Sequence, residues 1–202
     1  MIDLEPPFRR AKPEDAPALA EFINFAGEGL PLYLWTKMAG PGETPWDVGR
    51  MRARREEGGF SYRNAVVMEC GGEVVAGLVG YLLPDRPEAP EAPEAPDYDT
   101  LPAMFVPAQE LENLAPGTWY LNALATCPEF RGRGYGARLL ALAERLAKDQ
   151  GAKGVSIIVS DANSGARRLY RRCGYREIAK RPMVKEEWEN PGEDWLLLVK
   201  SL

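Results

Sequence analysis

The chain has 202 residues, 45% hydrophobic and 27% charged, which suits one globular domain large enough to bury a core. It contains no histidine, which excludes Ser-His-Asp and Cys-His catalysis and every His-ligated metal site. Its three scattered cysteines (Cys70, Cys127, Cys173) lack the spacing of a disulfide framework or a zinc site.

The net charge of −5 is unevenly spread. Residues 129–176 hold 11 Lys or Arg against 4 Asp or Glu, a balance of +7, so the remainder carries −12. A basic zone inside an acidic protein suits a small polyanionic ligand and not a nucleic acid. No run of about 18 apolar residues exists, so no membrane span is expected. The charged, Pro-rich N-terminal residues lack the apolar stretch of a secretory signal, so a cytoplasmic protein is expected.

Residues 8–11 read as a short strand. Pro13, Glu14 and Asp15 open a helix whose apolar positions are Leu19, Phe22, Ile23 and Ala26. Gly27 and Gly29 end it. The stretch 30–42 reads as an aromatic segment with turn signals. Residues 44–57 read as a second helix, with Thr44 as N-cap before Pro45.

Residues 64–70 and 73–83 read as two strands joined by Gly71-Gly72, a two-residue hairpin signal that makes them antiparallel neighbours. Residues 84–100 form a Pro/Glu-rich insertion containing PEAPEAPEAP, which reads as an extended acidic loop. Residues 101–114 hold a short helix. A strand at 118–126, a helix at 134–149 closed by Gly151, and an apolar strand at 155–159 follow. Asp161 or Asn163 caps a further helix ending at Gly174. Strands at 175–178 and 195–199 complete the chain. The order predicts an α+β (mixed α/β) domain, with antiparallel strands first and then one strand–helix–strand crossover.

The most informative segment follows the strand at 118–126. Arg131-Gly132-Arg133-Gly134-Tyr135-Gly136-Ala137 runs directly into a helix. Closely spaced glycines let backbone N–H groups approach an anion, and a helix N-terminus adds unpaired N–H groups and a positive dipole end. A pyrophosphate site follows from this chemistry alone. Gly132-x-Gly134-x-x-Ala137 also satisfies the dinucleotide fingerprint. Five residues separate its first glycine from the strand, however, and too little chain remains for a doubly wound sheet.

Leu124-Ala125-Thr126-Cys127-Pro128-Glu129-Phe130 followed by Arg131 to Gly136 resembles the main coenzyme A-binding motif of the GNAT acetyltransferase superfamily. Asn163, Ala166, Leu169, Tyr170, Gly174 and Tyr175 fall where the second motif of that superfamily, N-x-x-A-x-x-L-Y-x-x-x-G-[FY], has its fixed positions. The resemblance covers residue 64 to the C-terminus, apart from 84–115. It implies a single GNAT-like domain with a central mixed, mostly antiparallel sheet of about seven strands. That sheet is splayed between the fourth and fifth strands and flanked by helices.

The same resemblance implies an N-acetyltransferase that passes an acetyl group from acetyl-CoA, its cosubstrate, to a primary amine by direct attack, with no metal. A non-catalytic acyl-CoA-binding or sensor domain is the alternative. The backbone of Leu124, Ala125 and Thr126 would pair with the pantetheine arm. Arg131, Gly132, Arg133, Gly134, Tyr135, Gly136 and Ala137 would take the pyrophosphate. Asn163, Arg167 and Tyr170, spaced i, i+4, i+7, share one helix face, with Asn163 and Arg167 beside the cofactor and Tyr170 as general acid.

Many relatives carry a Glu where this chain has Asn122, which cannot act as a base but could orient a water or the substrate. An acyl-Cys127 route would need an activating base that the composition does not supply. In relatives the N-terminal helical region walls the acceptor site, so Glu28, Tyr33, Trp35 and Trp46 are candidates for holding a cationic small-molecule or peptide amine. The acceptor and the oligomeric state stay open, a homodimer included.

Overall fold

The computed structural model describes residues 2–85 and 103–202. The PEAPEAPEAP insertion lies outside these residues. Seven strands and six α-helices are present among the described residues: β1 (Phe8–Arg10), α1 (Ala16–Ala26), α2 (Leu30–Met38), α3 (Pro45–Arg54), β2 (Ala65–Cys70), β3 (Glu73–Leu82), α4 (Val106–Glu112), β4 (Trp119–Thr126), α5 (Tyr135–Asp149), β5 (Gly154–Ser160), α6 (Ser164–Arg172), β6 (Arg176–Pro182) and β7 (Asp194–Ser201). The strands form one sheet in the hydrogen-bonded order β1-β2-β3-β4-β5-β7-β6. Its one recorded parallel pairing is β4 with β5, as expected for an α+β fold with a single crossover.

The described residues divide into two compact units, one from Met1–Tyr81 and Leu121–Ala143, the other from Leu82–Tyr120 and Glu144–Leu202. In the first, β2 and β3 form the antiparallel hairpin anticipated from Gly71-Gly72, both of which adopt positive φ (62° and 85°). Type I′ turns require this conformation, and glycine adopts it without steric cost. Leu19, Phe22 and Ile23 of α1 are buried together with Trp35, Val48, Val67, Val79 and Ala123. Helix α3 starts as its sequence predicts. The Thr44 side chain accepts from the Asp47 amide, and the Asp47 carboxylate accepts from the Thr44 amide at 3.0 Å.

The segment 30–42, expected to be a turn-rich aromatic stretch, is largely helical, and this corrects the sequence reading. Pro31 lies in the first turn of α2, where its missing N–H costs no hydrogen bond. Gly29, at φ 88°, turns the chain into the helix.

In the second unit, β4 and β5 pair at Trp119↔Val155 and Tyr120↔Ser156, the first two residues of β4. The Thr118 and Ser156 hydroxyls meet there at 2.7 Å. Strand β7 pairs antiparallel with β5 along its whole length and with β6 on its other side. Helix α4 packs on β6 and β7.

The amide of Leu83 donates to Thr118, and the amide of Cys127 donates to Val75. Among the described residues no helix is long and apolar enough to cross a membrane.

Candidate active site

The site residues named from sequence fall in both units. In the first unit β4 alternates. Leu121, Ala123 and Ala125 are buried, whereas Asn122, Leu124 and Thr126 are partly exposed on the opposite face. The three backbone positions expected to meet a pantetheine arm, Leu124 to Thr126, thus lie on the same strand as the expected substrate-orienting Asn122, which is two residues before them.

After β4 a short 3₁₀ turn at Pro128–Phe130 leads into the glycine loop. Gly132 and Gly134 both take left-handed backbone, with φ of 77° and 80°. A methyl group built on either would meet nothing within 4 Å. The requirement for glycine is therefore conformational, and the space above the loop is open. The Arg138 amide donates to the Gly134 carbonyl, which marks the first turn of α5. The N–H groups of Tyr135, Gly136 and Ala137 precede that bond and have no intrahelical acceptor. Such amides at the positive end of a 15-residue helix are able to cradle an anion.

The loop arginines are restrained by the protein itself. Arg131 lies over the Phe25 ring, 5.7 Å from its centroid, and donates from Nε to the Thr126 carbonyl. Arg133 lies over Phe130 and donates to the Glu129 carbonyl. The hydroxyl of Tyr135 is 3.6 Å from the Cys70 Sγ. The Cys127 thiol is pushed up by burial, reinforced by the charge of Glu129, which leaves it protonated and a poor nucleophile.

The proposed acceptor residues separate. Trp35 is 4% exposed, edge-on to Trp46 and packed flat on Gly49, where an added methyl would meet its ring at 2.5 Å. It is a core residue. Tyr33 is partly exposed, but its ring face is taken by Lys37, whose Nζ lies 4.4 Å from the centroid. Glu28 adopts φ 53° in the turn between α1 and α2.

In the second unit, Asn163 is the N-cap of α6 and its Oδ1 accepts from the Ala166 amide at 3.0 Å. Arg167 donates to the Asp161 carbonyl at 2.7 Å. Of the two capping candidates, Asn163 caps the helix, while the Asp161 carboxylate accepts from the Glu193 amide. Tyr170 is 5% exposed, and its ring centroid lies 6.0 Å from that of Tyr175. The Tyr175 hydroxyl is buried without a hydrogen-bond partner, and burial raises its pKa.

Sequence reasoning passed over Glu112. Burial pushes its carboxyl up to about 7, against a hydrogen bond from Tyr120 that favours ionisation. No local pattern marks it, because its environment is made by residues distant in sequence. Among the described residues, no cluster of His, Cys, Asp or Glu could hold a metal ion.

The sequence matches the acetyltransferase (GNAT) family over residues 32–175. No curated protein sequence matches it significantly. Its fold is similar to that of an acetyltransferase at TM-score 0.64 and 20% identity, covering 96% of this chain and 98% of the other. It is also similar to an N-acetyltransferase from Staphylococcus aureus Mu50 at TM-score 0.62 and 17% identity, covering 96% and 99%. The ribosomal-protein-S18-alanine N-acetyltransferase from Escherichia coli follows at TM-score 0.57 and 14% identity, covering 96% and 92%. The family match spans β4, the glycine loop and α6 and agrees with the fold, so the chain belongs to the GNAT acetyltransferase family.

Proposed function

We propose that the protein is a cytoplasmic N-acetyltransferase that moves an acetyl group from acetyl-CoA to a primary amine of a small molecule or peptide. The observation that carries this reading is the glycine loop. Its left-handed Gly132 and Gly134 deliver the chain into α5, whose first-turn amides have no intrahelical acceptor, and the space beside both glycines is open. A pyrophosphate matches this charge and geometry. Strand β4 offers the backbone groups of Leu124, Ala125 and Thr126 to the pantetheine arm, and an amide there would serve as oxyanion donor.

In the step itself, the neutral amine nitrogen attacks the thioester carbonyl. The C–N bond forms, the C–S bond breaks, and the thiolate leaves with the bonding pair. Tyr170 gives that thiolate its proton and is reprotonated from solvent. The surplus proton on the nitrogen passes to water, oriented by Asn122, since the Asn122 amide cannot accept it. Asn163 and Arg167 fix the start of α6 and thereby the placement of Tyr170. Glu28 and Tyr33 remain as acceptor-facing groups, with Lys37 a competitor for the Tyr33 ring.

Asn122 in place of a carboxylate favours one second reading, a domain that binds acyl-CoA without turning it over. Thiol release from acetyl-CoA across a library of amines separates the two. Turnover with any amine supports the transferase. Tight acetyl-CoA binding without turnover supports the sensor. Absence of binding removes both.

A further inference from the structure

Gly59 follows α3 in the first unit, with Gly58 before it at φ 89°. Gly59 itself does not take positive φ, so its backbone is open to any residue. A Cβ built there would nevertheless lie 3.2 Å from the Tyr81 hydroxyl, 3.2 Å from the Tyr81 Cε1 and 3.3 Å from the Asn122 Nδ2. The missing side chain thus lets two polar groups from adjacent strands close in on the same backbone position. Tyr81 and Asn122 are both partly exposed, so solvent or a ligand reaches them.

Resting on the acetyl-transfer reading above, we propose that Tyr81 is a positioning residue for the acceptor, acting with Asn122 as an uncharged clasp on the amine nitrogen. A tyrosine hydroxyl and a carboxamide each donate and accept hydrogen bonds and carry no charge at neutral pH. Two such groups hold a neutral amine through its N–H groups and leave the lone pair free to attack. A carboxylate at the same place would instead favour the ammonium form, which has no lone pair. Gly59 maintains the clasp, because a methyl there would push the Tyr81 ring and the Asn122 amide by a few tenths of an ångström.

The test is steady-state thiol release from acetyl-CoA with the best amine of the library, on wild type, Tyr81→Phe, Gly59→Ala and the double variant. The expected result is a rise of about tenfold in KM for the amine in each single variant, the worth of one hydrogen bond to an uncharged partner. The Kd of acetyl-CoA should be unchanged. Gly59→Ala should cost less in the Tyr81→Phe background, because removing the hydroxyl relieves one of the three close contacts of the added methyl.

Unchanged amine KM in Tyr81→Phe overturns the proposal. So does a parallel loss of acetyl-CoA affinity, which would make Tyr81 part of the cofactor site. Strictly additive variants overturn the role of Gly59. Silence of the wild type with every amine, alongside normal acetyl-CoA binding, overturns the transfer reading and this inference with it.

Discussion

The rings of Tyr170 and Tyr175 lie 6.0 Å apart at a 55° tilt, and the amide of Tyr175 donates to the carbonyl of Tyr170. Gly174, at φ 91°, makes the turn that brings the two together. The two hydroxyls differ in consequence. Tyr175 ends in a buried hydroxyl with no partner, whereas Tyr170 stands where the family motif places the acid.

Tyr170→Phe should lower kcat by about 100-fold, the low end for general acid catalysis, because the coenzyme A thiol is already a fair leaving group. Acetyl-CoA Kd should hold, since the lost interaction belongs to the transition state. Turnover and calorimetry on the purified variant check both.

Tyr175→Phe should leave kcat alone and raise stability by about 1 kcal/mol, because it deletes an unsatisfied buried hydroxyl. Urea denaturation of the two Tyr→Phe variants side by side reads the contrast.

Gly134→Glu should abolish acetyl-CoA binding in a calorimeter by placing a negative charge in the amide cradle. Gly134→Ala separates strain from charge. Its left-handed backbone at φ 80° should cost about 1–2 kcal/mol of stability while retaining measurable binding.

Asn163→Ala removes the cap of α6 and should cost about 1 kcal/mol, read as a lower Tm. A larger loss of kcat than of stability would show that the cap sets the placement of Tyr170.

Glu112 gives a pH signature. Its carboxyl is pushed from the ordinary 4.5 to about 7, so the folded state holds the proton more tightly than the unfolded chain. The stability this supplies is complete below pH 4.5 and is lost as pH rises through about 7. Compared with Glu112→Gln, the wild type should therefore lose up to about 1.4 kcal/mol per pH unit across that window. Urea titrations of both proteins at several pH values test the slope. Parallel curves would mean Glu112 titrates normally.

Much of the architecture was legible because its causes are local. Gly71-Gly72 announces a hairpin, Thr44 before Pro45 a helix start, and the glycines after β4 a loop that turns into a helix. Helix α2 was not legible, since Pro31 and the crowded aromatics look like turn signals until the first-turn position of the proline is known. The role of Trp35 was hidden for a different reason. Whether an aromatic faces a ligand or the core depends on Gly49 and Trp46, which only the folded chain supplies. The convergence of Gly59, Tyr81 and Asn122 joins three separate segments, so no spacing rule reveals it.

Arg131 and Arg133, both exposed, lie over aromatic rings and each donates one hydrogen bond to a carbonyl oxygen, contacts that do not cancel their charge. These contacts narrow the rotamer freedom that each long side chain would otherwise give up on meeting a ligand. What persists is a standing positive field at the loop mouth that acts before contact. Capture of a polyanion should be fast at low ionic strength and slow steeply once the Debye length shrinks to about 8 Å near 0.15 M salt. The escape rate, set by short-range amide contacts, should barely respond.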